Sequence, residues 1–430
     1  MTETDKKPRS ALETRKAIAE GKLTAVAATE ELLDRVAALE PDVEAWVHIN
    51  TKGALDAAAQ LDRSTDKAPL HGVAFGVKDL FAVKDLPWRC GSPIWKDRTA
   101  SFDAPVIALL RQAGGIVLGK TETTEFAGYK PSRTRNPAAP GRTPGGSSSG
   151  SAAAVACGMV PLAFGTQTSG SIIRPASFCG VVGFKPSFDT LETSGIAPLS
   201  RSLDTVGLFA RDVPDIAFAM EALTGTSLQP GDASTPPVPL GVFRSAAWPY
   251  AEPALVTAWE SFEERLASLQ GPVPSPLPDD FTAALDPVLD LHVRLMALEA
   301  AEALAHESAI APELLSEGLA QQLADGRATS AGQRREDRQH LNRLRAMAFN
   351  SLAPDAVWLT PSSCGPAPAF EAGTGNPAFN RTWSLLGLPC CSVPILSDAE
   401  GRPMGVQVVG AMGNDQGVLA AAHWLMQAFA

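Results

Sequence analysis

The strongest constraint on this chain is a run of small residues between positions 145 and 186, which reads GGSSSGSAAAVACGMVPLAFGTQTSGSIIRPASFCGVVGFKP. Glycine and serine at this density let the backbone approach a reacting atom closely and leave its N–H groups uncovered. Such composition is more often that of a flexible linker. Here the run continues into apolar residues 152–157 and 160–164, which predict a buried helix and a buried strand. The run therefore predicts a site held inside an α/β core.

A lone lysine, Lys78, ends the apolar run of residues 73–77. A lysine at a strand end is usually solvated. Together with the two serine clusters, it instead suggests a serine hydrolase whose base is a lysine. Only a neutral amine can accept a proton, and burial without a carboxylate partner lowers the pKa of a lysine enough for that. Because side chains alternate along a strand, Asp79 is expected to point away from Lys78.

Composition excludes several classes of function. The chain has 430 residues, 45% of them hydrophobic, and a formal net charge of −11. An acidic protein without clustered lysine and arginine is a poor partner for nucleic acid or an anionic membrane. Residues 1–15 carry alternating charges and lack the apolar core of a secretory signal, and no run reaches the ~18 apolar residues of a membrane span. We therefore expect a cytoplasmic protein with no membrane partner.

Cysteines and histidines give no metal signature. The six cysteines show no CxxC spacing and the six histidines form no HExxH pair. We expect buried, reduced thiols, with no zinc site and no disulfide framework.

The order of predicted elements favours an α/β class. Residues 24–39 predict a helix capped by Thr24, residues 73–77 a strand, residues 105–113 a helix begun by Pro105, and residues 116–118 another strand. Strand signals return at residues 357–359 and 404–409. We predict a single α/β/α domain over residues 1–430, with a large mixed central sheet covered by helices. Residues 226–345, which contain a short strand at 240–243 and several helices, are predicted to be a variable, mostly helical insert that shapes the substrate pocket.

Six motifs carry a family resemblance. They are GVKD at 76–79, GGSSSGS at 145–151, GTQTSGSIIRPA at 165–176, CGVVGFKPS at 179–187, NRTWSLLGLP at 380–389 and GVQVVG at 405–410. In content and order they resemble the amidase-signature hydrolases, which use a Ser, cis-Ser, Lys triad. The resemblance implies the amidase-signature fold and hydrolysis of an amide, or a related carbamate, through an acyl-enzyme without metal or organic cofactor.

Carried onto this chain, the resemblance makes Ser171 the nucleophile, Ser147 the bridging cis serine and Lys78 the base. The oxyanion would be bound by backbone N–H groups at the turn before the helix that begins near Ile172. Those groups belong to Thr168, Ser169, Gly170 and Ser171.

Two departures concern the oxyanion loop and the substrate. The family's usual Gly-Gly before the nucleophile is Ser169-Gly170 here, which puts the oxyanion geometry in question. Gln167 stands where the family commonly has aspartate, and Arg174 lies three residues after the nucleophile, an arrangement similar to the malonamidase-like branch. Arg174 would bind a substrate carboxylate or polar carbonyl, or else hold loop carbonyls. Tyr129 and Gln167 are further candidates for substrate contact, and the remaining aromatic candidates are pocket lining or core: Trp88, Trp95 and Trp383.

Other functions remain open. Residues 146–150 satisfy GxSxG, which would make Ser148 the nucleophile of an α/β-hydrolase, but a proline-rich loop stands where that motif needs a strand. The chain could instead be a component of an amidotransferase, hydrolysing glutamine inside a larger assembly. A catalytically inactive binding module is disfavoured because all three triad residues are present. The expected partner is a small-molecule amide or carbamate, with a homodimer as the expected assembly.

Overall fold

A ten-stranded mixed sheet organises the molecule. The computed structural model describes residues 7–234, 236, 240–270 and 277–430. Within them the strands run in the spatial order β1-β3-β2-β4-β6-β5-β9-β10-β8-β7. Their bounds are β1 Trp46–Ile49, β2 Ala74–Lys78, β3 Ile116–Thr121, β4 Leu162–Gln167, β5 Val182–Lys185, β6 Thr205–Ala210, β7 Gly241–Val242, β8 Val357–Pro361, β9 Cys390–Ser397 and β10 Pro403–Gly410.

Parallel pairing is confined to two places in the sheet. Strand β2 is parallel to both β3 and β4, and β7 is parallel to β8. The other neighbours are antiparallel. The carboxyl ends of β2 and β4 therefore lie at the same edge of the sheet, and this brings Lys78 close to the loop that follows Gln167.

Helices cover both faces of the sheet. Their bounds are α1 Ala11–Ala19, α2 Ala25–Val43, α3 Thr51–Arg63, α4 Pro105–Gln112, α5 Ser149–Ala156, α6 Ile173–Cys179, α7 Val213–Thr224, α8 Pro253–Gln270, α9 Asp279–Ala284, α10 Val288–Ala303, α11 Ala305–Ile310, α12 Glu317–Ala328, α13 Ala331–Ser351, α14 Ala378–Leu386 and α15 Asp415–Ala428.

Alternation along the central strands separates two apolar cores. In β4, Leu162 and Phe164 pack into the larger core, whereas Ala163 packs into the smaller one on the other face. Strand β6 repeats the pattern with Leu208 and Phe209. Strands buried on both faces lose the polar alternation of a half-exposed sheet, which is why the sequence around β4 and β6 is almost continuously apolar.

The structure confirms the α/β class and the large mixed sheet, and it places most predicted elements within a few residues. Thr24 caps α2 through its side chain, Pro105 opens α4, and Lys78 is the last residue of β2. Strands β1, β5, β6 and β9 had no individual sequence prediction. The helices predicted within residues 226–345 are observed as α8 to α13, and α13 continues to Ser351.

Some predicted features fall partly outside the described residues, namely positions 1–6 of the charged N-terminal segment and positions 235, 237–239 and 271–276 of the predicted insert. Across the described residues, no helix combines the length and the apolar character that a membrane span requires. All six cysteines are unpaired, and five of them are buried.

Candidate active site

Lys78 ends β2 inside the protein, with no exposed surface. Its Nζ lies 2.7 Å from Oγ of Ser147 and 2.8 Å from Oγ1 of Thr166. Both neighbours are hydroxyl groups, and among the described residues no carboxylate forms an ion pair with this amine. Burial lowers the pKa of Lys78 well below its usual range, and the nearby carboxylate of Asp204 offsets this only in part.

Asp79 is turned away from Lys78, as the alternation of β2 predicts. Its carboxylate forms an ion pair with Lys120, with Nζ 2.7 Å from Oδ1 and both side chains fully buried. Asp79 Oδ2 also accepts a hydrogen bond from the N–H of Arg89. The carboxylate next in sequence to Lys78 is therefore committed to another cation and does not hold Lys78 in its charged form.

Ser147 follows a cis peptide bond from Gly146. The two glycines before it have steric reasons to lack a side chain: a Cβ on Gly146 would lie 2.9 Å from Cγ2 of Thr374, and Gly145 adopts a φ of +81°. Ser147 itself is 2% exposed. The structure thus brings Lys78 and Ser147 together at the serine that the resemblance expects to be cis.

Ser171 lies in the loop between β4 and α6. Its hydroxyl makes no hydrogen bond to any residue that the structure describes, so it is not bonded to Ser147 or Lys78. It lines a small cavity whose wall also includes Tyr129, Ser169 and Arg174. The hydroxyl is therefore free to meet a ligand in that cavity.

In the loop of residues 168–171 the backbone carbonyl groups of Ser169 and Gly170 have hydrogen-bond partners, whereas the N–H groups have none among the described residues. In the described part of the chain, the N–H groups of these four residues donate to no protein acceptor. The carbonyl groups, in contrast, are occupied: Ser384 Oγ donates to the Ser169 carbonyl at 2.6 Å, and the N–H of Arg174 donates to the Gly170 carbonyl at 3.0 Å. Four consecutive N–H groups without protein acceptors are available to bind a negatively charged oxygen.

Gln167 supports this loop from below and is fully buried. Its Oε1 accepts hydrogen bonds from the N–H groups of Ile172 and Ile173, at 2.9 and 3.0 Å. Its Nε2 donates to Ser384 Oγ at 3.0 Å. Since both ends of the amide are occupied by protein partners, the structure places Gln167 beneath the loop rather than among the groups that line the cavity.

Arg174 is 3% exposed and has too few partners for a guanidinium. One nitrogen donates to the carbonyl of Gly146 at 2.8 Å and to Thr374 Oγ1 at 3.3 Å, while Nε and Nη1 are buried without a partner among the described residues. Burial lowers the pKa of Arg174 to about 10, which leaves it charged at neutral pH. Both uses predicted from the sequence are compatible with this geometry, because one N–H holds a loop carbonyl and others are unoccupied.

Tyr129 is 38% exposed and stands where two cavities meet. It lines the cavity at Ser171 and also a larger, more open one beside Thr374 and Glu252. The tryptophans do not line the cavity at Ser171. Trp88 packs edge-on against Trp95 with ring centroids 5.5 Å apart, and Trp383 is fully buried.

Ser148, the nucleophile of the competing interpretation, is fully buried. Its hydroxyl lies 3.3 Å from the Thr166 carbonyl and 3.4 Å from the Thr166 N–H, and so it ties the start of α5 to β4. No strand lies directly before it, since the described residues 122–148 contain none. The α/β-hydrolase interpretation therefore lacks both its strand and an accessible serine.

Three polar residues near the site had no sequence prediction. Thr166 is the second neighbour of Lys78. Asp204 accepts a hydrogen bond from the Thr168 hydroxyl, and burial raises its pKa to about 6. His292 contacts the loop from α10. The parallel pairing of β2 with β4 could have indicated Thr166, but no local motif marks Asp204 or His292. Among the described residues no cluster of histidine, cysteine and acidic side chains is suited to hold a metal ion.

A family profile described as Amidase matches residues 27–419 of the chain. The chain belongs to the amidase family. Solved structures of family members cover nearly the whole chain: a crystal structure described as an amidase superimposes with a TM-score of 0.87 and 33% identity, covering 98% of this chain and 100% of that one. The chain is thus a hydrolase acting on carbon–nitrogen bonds with the fold of this family.

Curated relatives of this amidase-family chain are named as components of glutamyl-tRNA(Gln) amidotransferase. The relative of that name from Thermobifida fusca (strain YX) is 37% identical over 303 residues, which cover 64% of this chain and 60% of that protein. Its counterpart from Chlamydia pneumoniae is 30% identical over 471 residues, covering 96% of this chain and 94% of that protein. The similarity to the malonamidase-like branch stays a prediction.

Proposed function

We propose that this chain hydrolyses a carboxylic amide, or a related carbamate, through an acyl-enzyme on Ser171. The observation that carries the proposal is the buried amine of Lys78, whose two polar neighbours are hydroxyl groups, one of them on Ser147 after a cis peptide bond. Burial without a carboxylate partner lowers the pKa of Lys78 and so favours the neutral amine, which is the form that can accept a proton.

In the acylation step the Oγ of Ser171 attacks the carbonyl carbon of the amide. Its proton passes to the Oγ of Ser147, and the proton of Ser147 passes to the Nζ of Lys78. A hydroxyl can take part in both transfers because it is a donor and an acceptor at once. Nothing in this step requires a histidine.

The negative charge that develops on the carbonyl oxygen is received by the free N–H groups of the 168–171 loop. These groups are in place before the substrate arrives, so no reorganisation is needed when the charge forms. One such donor typically contributes about 3–4 kcal/mol to lowering the barrier. The C–N bond then breaks, and the proton on Lys78 returns through Ser147 to the leaving nitrogen.

Deacylation repeats the sequence with water. The water oxygen attacks the ester carbon and gives its proton through Ser147 to Lys78, and the ester bond to Ser171 breaks as its Oγ regains a proton. The enzyme returns to its starting protonation state, and the products are a carboxylic acid and an amine or ammonia.

The substrate is proposed to carry a negatively charged or strongly polar group on its acyl side. Arg174 lines the cavity of Ser171, and its Nε and Nη1 are buried without a partner among the described residues. A desolvated guanidinium without an acid partner is costly, and a substrate carboxylate would compensate for it. Tyr129 would contact the same part of the substrate.

Gln167 is proposed to position the loop rather than to touch the substrate. It fixes the start of α6 and, through Ser384, the carbonyl of Ser169. Aspartate at this position, as is common in the family, could accept the same two N–H groups but could not donate to Ser384.

The whole chain is proposed to act as one domain whose insert, residues 226–345, completes the pocket. Met296 of α10 lines the cavity at Ser171, so at least one helix of the insert reaches the site. Homodimer formation stays a prediction.

The test compares alanine variants of the two serines proposed as nucleophile by the competing interpretations. We expect Ser171→Ala to abolish turnover of short amides and aryl carbamates, and Ser148→Ala to keep it. Intact-protein mass spectrometry after incubation with an aryl carbamate should show a covalent adduct on the wild type, and none on Ser171→Ala. Substantial turnover by Ser171→Ala would refute the assignment.

A second candidate is a glutamine-hydrolysing component that acts inside an amidotransferase. The names of the curated relatives favour it. Size-exclusion chromatography of the purified chain, followed by assays with glutamine and with simple amides, separates the two. Efficient turnover of simple amides by the isolated chain supports the amidase, whereas glutamine hydrolysis only after addition of a partner supports the amidotransferase.

A further inference from the structure

His292 makes a contact with the oxyanion loop that no motif of the chain indicates. It lies on α10 and is fully buried. Its Nε2 is 3.0 Å from the carbonyl oxygen of Thr168 and 3.3 Å from the Oγ of Ser169. Its Nδ1 is buried without a partner among the described residues.

These contacts determine the tautomer of the ring. A carbonyl oxygen can only accept, so Nε2 must carry the hydrogen, and Nδ1 is left as a bare acceptor. Burial lowers the pKa of His292 to about 4, so the ring is neutral at neutral pH. Because Nε2 then has no free lone pair, the Ser169 hydroxyl can only accept from it. Ser169 donates instead to the Sδ of Met296, at 3.3 Å.

The side chain of Ser169 is therefore directed towards α10 and held there by two groups of the same helix. This residue replaces the glycine that the family resemblance predicts before Gly170. Its hydroxyl and the Thr168 carbonyl accept the same N–H of His292 in a bifurcated hydrogen bond.

We propose that His292 is a positioning residue that aligns the oxyanion-binding N–H groups for catalysis. It fixes the Thr168 carbonyl, while Ser384 fixes the Ser169 carbonyl and the first turn of α6 fixes that of Gly170. In a peptide group the C=O and the following N–H point in opposite directions. Fixing three successive carbonyls therefore also fixes the direction of the N–H groups of Ser169, Gly170 and Ser171, the donors proposed to bind the oxyanion.

The inference rests on the proposed function. It also means that the insert, residues 226–345, supports the oxyanion loop as well as shaping the pocket. Helix α10 belongs to the segment predicted to shape the pocket. Through His292 and Met296 it also supports the backbone that is proposed to bind the oxyanion. A change in that segment is thus expected to alter the rate of the chemical step as well as the choice of substrate.

The test compares His292→Gln with His292→Asn. The amide nitrogen of glutamine can occupy the place of Nε2 and donate to Thr168, whereas that of asparagine ends too far from it. We expect His292→Asn to lower kcat by about 10- to 100-fold, the usual scale for misaligned catalytic groups. His292→Gln should keep most of the activity. KM should change little in either variant.

A second readout separates alignment from general damage to the fold. A trifluoromethyl ketone forms a tetrahedral adduct on the serine and places an oxyanion in the hole, whereas the carboxylate product binds without one. We expect His292→Asn to weaken the ketone in parallel with kcat and to leave product inhibition unchanged. His71→Leu is the matched control, because His71 is also fully buried but lies outside the site, and it should keep both affinities.

The outcomes distinguish the two proposals. Activity in Ser171→Ala would remove the proposed function and this inference with it. If Ser171→Ala is inactive, equal kcat and equal ketone affinity in His292→Asn and the wild type would overturn the positioning role alone. Parallel loss of ketone and product affinity in His292→Asn, or no rescue by His292→Gln, would also overturn it.

Discussion

Gly170 gives the sharpest test of how tightly the oxyanion loop is built. A Cβ at this position would lie 2.3 Å from Oδ1 of Asn380 and 2.9 Å from its Cγ. Since Cβ contacts shorter than 3.0 Å essentially do not occur, Gly170→Ala requires a displacement of at least about 0.7 Å. The φ of Gly170 is not positive, so the collision is the main obstacle to alanine.

Asn380 cannot move aside cheaply. It is fully buried, and its Nδ2 donates to the Ser362 carbonyl at 3.0 Å and lies 3.2 Å from Oε1 of Gln407. Rotating the amide would break both contacts. The loop must therefore give way, and with it the N–H groups of Gly170 and Ser171.

We expect Gly170→Ala to lower the free energy of unfolding by about 1–3 kcal/mol, the usual cost of overpacking a well-packed site. A displacement approaching 1 Å in the loop should lower kcat by about 100-fold. Urea denaturation and steady-state kinetics on a short amide measure the two effects. Gly318→Ala is the matched control, because a Cβ there meets nothing within 4 Å; since Gly318 lies in helix α12, it should preserve kcat and keep or slightly raise stability.

A double variant locates the cause of the loss. Asn380→Ala removes the atoms that the new methyl group would strike, so Gly170→Ala should cost less stability in that background than in the wild type. The expected coupling is about 1 kcal/mol or more, as for other residues in direct contact. Wild-type kcat in Gly170→Ala, or strict additivity with Asn380→Ala, would refute this account of the loop.

Three further predictions concern charge. Lys78→Met should abolish turnover but raise the free energy of unfolding at neutral pH. Burial lowers the pKa of Lys78 in the native state, so folding is opposed by the proton that the unfolded lysine binds, and methionine removes this cost. A less stable Lys78→Met in thermal and urea unfolding would contradict this. Asp204→Asn can keep all three hydrogen bonds of the carboxylate if its amide donates to Thr168. Because the negative charge of Asp204 raises the pKa of Lys78, removing that charge should move the acid limb of the kcat/KM profile to lower pH. A move to higher pH would contradict the assignment of Lys78 as the base. Arg174→Met should lower kcat/KM for dicarboxylic monoamides by about 10- to 100-fold, the value of a charged hydrogen bond, and affect neutral amides much less; equal losses on both would assign Arg174 a purely structural role.

The sequence identified the parts of the site that depend on local chemistry. Lys78 in an apolar strand, the serine clusters and the small residues between them are local signals, and the structure places Lys78 beside Ser147. The fold class followed from the same kind of signal, since each central strand is short, apolar and followed by a turn.

Contacts between distant segments could not be predicted in this way. His292 is 124 residues from the carbonyl it contacts, and Gln167 meets Ser384 across 217 residues. Which side chain fills such a position depends on how α10 and α14 pack against the sheet. Gln167 illustrates the consequence, because its motif position suggested substrate contact, whereas its partners are two backbone N–H groups and a serine.

Three buried basic side chains, Lys78, Lys120 and Arg174, differ in whether a carboxylate neutralises them. Lys120 and Lys78 lie on neighbouring strands and are equally inaccessible, yet Lys120 has the carboxylate of Asp79 and Lys78 has hydroxyl groups. The same local sequence, Lys78-Asp79, could have paired Lys78 with a carboxylate, and the alternation of β2 prevents it. Arg174 repeats the arrangement with unoccupied N–H groups. An unpaired buried charge lowers stability. The cost at Lys78 and the cost at Arg174 must therefore be compensated, and the two residues differ in how this can happen. In the proposed mechanism, Lys78 is relieved by losing its proton and then acts as a base. Arg174 keeps its charge at neutral pH and is relieved only by an anion, which the proposed function assigns to the substrate.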